Sequence, residues 1–144
     1  MSEAAPPAGR GTRRGARRLA LDILYQSDLT GRTPSDVMAE LVATGQRVPP
    51  FAREIVTGVE RHAADLDGLV ARHVRGWTIE RLAVVDRNVL RLAAFELLHR
   101  PDVPPAAAIS QAVEAAKELS TDESGRFVNG ILGAIARELT AEER

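Results

Sequence analysis

Five arginines near the N-terminus, Arg10, Arg13, Arg14, Arg17 and Arg18, are the side chains best suited to chemistry with another molecule. A guanidinium carries a fixed charge and a planar fork of donors that matches phosphate oxygens. Wound as a helix at about 100° per residue, the five fall within an arc of about 140°. Tyr25 falls inside that arc, about two turns beyond Arg18. Ala16, Leu19, Ala20 and Ile23 lie opposite and would dock on the body of the protein. Such a stripe can track phosphates, and the tyrosine can offer a face to an unstacked base. The same pattern is also that of a solvated charged face with Tyr25 half in the core. Like charges four residues apart destabilise a helix, so the pattern favours a partner that uses them.

A second segment, Ser124-Gly125-Arg126-Phe127-Val128-Asn129-Gly130, combines a cation, an aromatic and an amide. On a helix, Arg126, Asn129, Gly130, Gly133 and Arg137 share the face opposite the apolar stripe. Glycine inside a helix costs about 1 kcal/mol against alanine. Gly130 and Gly133 would permit close approach of another helix or of a ligand, and both readings stand.

Other chemistry is missing. With no cysteine, disulfides, thiolate metal sites and cysteine nucleophiles are excluded. The single Lys117 follows no glycine-rich phosphate loop, and no G-x-S-x-G occurs. His62, His73 and His99 lack metalloprotease spacing and read as surface or capping residues; His99 and Arg100 would suit a helix C-terminus. Asp65-Leu66-Asp67-Gly68 begins like a calcium loop but lacks the closing glutamate. Glu96 falls on the apolar side of its helix and reads as a buried carboxylate with a structural partner such as an arginine. The expectation is a non-enzyme with no catalytic residue, no metal and no cofactor.

The elements that must position these residues are all helical in pattern. The 144 residues are 44% hydrophobic and 27% charged, as in a globular domain. Only five aromatics occur, so alanine and leucine must fill the core, which suits close-packed helices. The first 18 residues hold five arginines against Glu3, and the remainder holds more acids than cations. A basic arm on an acidic body is a pattern of polyanion binders. No apolar run is long enough to span a membrane and no secretory signal pattern is present, so the expected location is cytoplasmic.

Residues 1–11 read as a disordered leader. Thr12 can cap a helix to Leu29 that Gly31 stops; a second spans Pro34 to Ala43, stopped by Gly45. Phe51 to Val74 is helical with a phase slip near Arg61–Asp65, hence two helices. Thr78 to Leu82 suggests a short turn. Val84 to His99 is apolar around almost its whole circumference, which predicts the central helix. Helices over Ala106–Leu119 and from Thr121–Ser124 to Glu138 complete an all-α single domain of about seven helices. It would span 12–139, with 140–144 as a tail.

Four blocks carry a resemblance: RRGARRLALDILYQ at 13–26, DRNVLRLAAFEL at 86–97, DVPPAAAISQAVEAAKELS at 102–120 and SGRFVNGILGAIARE at 124–138. In that order they resemble the NusB family of bacterial transcription antitermination factors. The resemblance implies two packed helical bundles and a non-catalytic role at the boxA RNA of ribosomal RNA leaders. It implies action with NusE, a small-subunit ribosomal protein, alongside other Nus factors and RNA polymerase; some members are dimers. It places the arginine-rich motif on Arg13, Arg14 and Arg17 with Tyr25, and a second RNA region on Glu123, Ser124, Arg126 and Phe127. Asn129 joins that region by its place on the same helix face. Asp86, with its neighbours Leu90 and Arg91, would face NusE. Gly15 stands where the family pattern has a further arginine, and Arg18 restores one nearby. Alternatives are an RNA-targeting helical adaptor, like the domain that precedes some ribosomal RNA cytosine methyltransferases, and a self-associating protein adaptor.

Overall fold

A computed structural model describes residues 12–75 and 78–142; Arg10 and the leader lie outside them. The described residues form seven α-helices and one 3-10 turn, with no strand. The helices are α1 (Thr12–Thr30), α2 (Pro34–Ala43), α3 (Pro50–Arg61), α4 (Ala63–Ala71), α5 (Val84–His99), α6 (Pro105–Leu119) and α7 (Asp122–Glu142); the 3-10 turn is Ile79–Arg81. The final helix continues through Glu142, so residues 140–142 are helical and do not form a separate tail.

The chain divides into two compact units, residues 1–60 and 61–144. In the first, α1 packs on α2. Ala16, Ala20, Ile23 and Leu24 are buried along one side of α1, the side opposite the arginines. Gly31 and Gly45 end their helices with φ of 76° and 96°, a region that side chains with a Cβ rarely enter. At the second stop Gly45 N–H donates to Val42 O and Gln46 N–H to Leu41 O, so two terminal carbonyls of α2 find partners. At its other end Thr33 caps α2, its hydroxyl accepting from Asp36 N–H at 3.1 Å.

In the second unit α5 packs against α4, α6 and α7, as its apolar circumference requires. Val89, Leu90, Leu92, Ala93, Ala94 and Phe95 are all buried, and so are Asn88 and Glu96. Alanines 108, 112, 115 and 116 let α6 lie close to its neighbours. The tightest approach is at Gly125 on α7, where an added Cβ would sit 2.5 Å from Lys117 Cγ. Among the described residues, nothing lies within 4 Å of a Cβ added at Gly130, and one added at Gly133 meets Arg137 Nη1 at 3.4 Å. Tight helix packing thus explains Gly125 and leaves Gly130 and Gly133 without a packing reason among the described residues. Arg91 donates to Asp67 through Nε (2.7 Å) and Nη2 (3.0 Å), a two-pronged brace between α5 and α4. Asp67 is therefore committed to an arginine.

His99 departs from the expectation of a charged C-terminal residue. Its ring stacks on His62 with centroids 4.0 Å apart and lies 5.5 Å from Phe95. Burial and the neighbouring His62 push the His99 pKa down, against an opposing pull from Asp65. The stack therefore favours neutral His99. Between the depressed folded value and the ordinary value near about 6.5, the unfolded chain binds more protons, so folding weakens as pH falls. The stabilisation is complete above about pH 6.5 and is lost as pH falls through the folded value. Urea midpoints measured from pH 7.5 to 5 should fall more steeply for the wild type than for His99→Leu. Equal slopes would remove His99 as the cause.

Candidate nucleic-acid interface

The first unit presents the arginine face. Arg13 and Arg14 are exposed and Arg17 and Arg18 are half-buried, while Ala16 and Ala20 anchor the reverse side of α1. Gly15 is exposed, and none of the described residues lies within 4 Å of where its Cβ would be, so packing among them does not demand a glycine there. Tyr25, further along α1, is half-buried. The sequence did not single out Phe51, in the first turn of α3. The guanidinium carbon of Arg13 lies 4.5 Å from the Phe51 ring centroid, and that of Arg17 lies 5.3 Å from it. Both distances fall within cation–π range.

The second unit presents an open groove between the start of α5 and the start of α7. Arg81, Leu82, Ala83, Asp86, Thr121, Glu123, Ser124, Arg126 and Phe127 line it. Thr121 starts α7 as a capping residue, its hydroxyl accepting from Ser124 N–H at 3.0 Å. The cap turns Ser124 inward, where its Oγ donates to Asp86 Oδ2 at 3.2 Å. Asp86 and Ser124 are both buried. Asp86 Oδ1 has no hydrogen-bond partner among the described residues. Desolvation pushes the Asp86 pKa up, and the hydroxyl of Ser124 partly opposes the shift. Around this floor stand exposed Arg81, Glu123 and Arg126 and the half-buried ring of Phe127. The groove can accept a hydrogen bond, offer an aromatic edge or face and pair two guanidinium groups with anions. Asn129 is exposed on the outer side of α7 and does not line the groove.

Residues that the sequence kept apart meet here. The resemblance sets Asp86 on a surface for a partner protein, and the structure places it in one groove with Ser124, Arg126 and Phe127. Leu90 corrects the expectation. It is 0% exposed, enclosed in the core of the second unit, and offers a partner no surface. An apolar helix residue one turn from Asp86 could be read either way from sequence; packing on three sides decides it. Arg91 is half-buried and held by Asp67 and by Asn88 Oδ1 at 3.3 Å. Arg81 and Thr121 were missed. Thr121 carried a capping signal, three residues before Ser124, whereas Arg81 reaches the groove only through the fold.

Both regions lie almost entirely inside the span matched by the model of the NusB family, residues 14–137. The transcription antitermination protein NusB of Symbiobacterium thermophilum is 43% identical over 138 residues, covering 88% of this chain and 90% of that protein. Among solved structures, T. maritima NusB superposes with a TM-score of 0.81 at 34% identity and 94% coverage of both chains. A chain from a crystal structure of the antitermination factors NusB and NusE in complex with dsRNA gives a TM-score of 0.78 at 30% identity. It covers 88% of this chain and 97% of that one. Agreement of sequence and of helical fold along almost the whole length places this chain in the NusB family.

Proposed function

We propose that this protein is a transcription antitermination factor that binds single-stranded boxA-type RNA of ribosomal RNA leaders together with NusE. In this reading it works beside other Nus factors on RNA polymerase, and no step is catalytic. The observation that carries it is the arginine face of α1, whose Arg13 and Arg14 are exposed while Ala16 and Ala20 are buried behind them. Phosphate contacts supply salt-sensitive attraction without sequence information. Tyr25 and Phe127 offer rings to unstacked bases, and the groove of the second unit adds Arg81 and Arg126 for phosphates. The body outside the N-terminal arm is acidic and complements a basic ribosomal protein, which would speed association. Two modest contacts joined through one RNA reinforce each other.

Fluorescence anisotropy tests this directly. The labelled RNAs are a single-stranded boxA-type sequence, a scrambled control and a duplex, each with and without NusE across a salt series. The reading expects tighter binding to boxA than to the control, tightening further with NusE. Equal binding to all three RNAs that vanishes with salt and ignores NusE would sink it. Tightest binding to the duplex would replace single-strand readout with recognition of RNA shape. Sedimentation over a concentration series, with and without RNA, reports whether a homodimer competes for the same surface.

A further inference from the structure

Phe51 is an aromatic in contact with the arginine face that the functional reading has not used. It stands at the second position of α3, and the helix start beneath it is fixed. Pro49 and Pro50 set the entry, Arg53 N–H donates to Pro49 O at 3.0 Å, and Ala52 and Ile55 are both 0% exposed. The ring itself is half-buried, with the guanidinium groups of Arg13 and Arg17 at 4.5 and 5.3 Å from its centroid. Arg13 and Arg17 stand one turn apart on α1, where two like charges repel. A ring face carries negative quadrupole density, so one ring attracts both cations and offsets that repulsion. It also holds two long side chains, each otherwise costly to immobilise when a ligand binds.

We infer that Phe51 is a positioning residue for RNA binding, an aromatic rest that pre-sets the guanidinium groups of Arg13 and Arg17 for phosphate contact. The inference rests on the RNA-binding reading of α1 and adds to it a residue outside the arginine motif. A merely structural Phe51 needs only its bulk; a positioning Phe51 needs its π face. Leucine keeps apolar bulk and removes the π face, whereas tryptophan keeps a stronger one.

The test uses the full chain as wild type, Phe51→Leu, Phe51→Trp and Arg13→Ala, with the single-stranded RNA named above. Phe51→Leu should bind about fivefold more weakly with its salt slope unchanged, because both charges remain. Arg13→Ala should instead flatten the slope, and Phe51→Trp should restore wild-type affinity. Without RNA, the Nε–H resonance of Arg13 should lie upfield in the wild type from the ring current and move downfield in Phe51→Leu. Wild-type affinity in Phe51→Leu, or no recovery in Phe51→Trp with helical content intact, overturns the positioning role. An unmoved arginine resonance overturns the pairing itself. A wild-type chain that binds no RNA while the resonance shifts as expected overturns the RNA reading and the positioning role built on it, and leaves only the ring–arginine contact.

Discussion

Replacing Arg14 and Arg17 together by alanine is expected to weaken binding of single-stranded RNA by about ten- to hundredfold, with the fold intact. Charge-assisted contacts of this kind are worth about 1.5–3 kcal/mol when fully formed, and partly exposed ones deliver less. Arg14 is exposed and Arg17 half-buried on the same helix. The signature is the salt dependence. Each lost single-strand phosphate contact lowers the slope of log affinity against log salt by about 0.7, so the double variant should be shallower by about 1.4. Alanine is the better helix former and two like charges are removed, which offsets part of the loss of the Arg17 contact with the Phe51 ring. Helical content by circular dichroism should therefore stay near the wild-type level while affinity falls. An unchanged slope would remove the phosphate role from α1, whatever happened to affinity.

The largest effect on stability is expected from Leu90→Ala. Leu90 is 0% exposed on the helix that α4, α6 and α7 surround. Truncation removes buried methyl groups and leaves a cavity that three packed helices cannot readily close, at a cost of about 2–5 kcal/mol. Urea denaturation followed by circular dichroism measures it. The comparison that matters is with Arg91→Ala, which removes the half-buried two-pronged contact to Asp67 and leaves the apolar core whole. If Leu90 is core, Leu90→Ala loses stability and binds NusE normally under conditions where it remains folded. A Leu90→Ala chain of wild-type stability that fails to bind NusE would return Leu90 to the partner surface. The two neighbours thus separate packing from recognition on one helix.

Periodicity alone made the helices legible, because an α-helix writes its geometry into every third and fourth residue. The turn signals at Gly31 and Gly45 worked for the same reason: positive φ is a demand on a single residue, and glycine meets it. The arginine face of α1 was also local. Charges spaced three and four apart must share a side, and the alanines and isoleucine between them must take the other. The exclusion of thiol chemistry was equally plain, since the chain has no cysteine.

What the sequence could not give was azimuth where the pattern is apolar all round. On α5 no face is marked, so Asp86, Leu90 and Arg91 could be assigned to a surface together. Packing on α4, α6 and α7 then buried Leu90, turned Asp86 toward Ser124 and tied Arg91 to Asp67. His99 escaped for a related reason. Its position at a helix end suggested a charge, and only the ring of His62, from another helix boundary, made it a half-buried stack. Phe51 lies far along the chain from Arg13, and no local spacing links them. Helical periodicity specifies which residues share a side of one helix. Which side meets which neighbour depends on contacts between residues distant in sequence, and for α5, His99 and Phe51 only the tertiary structure decided it.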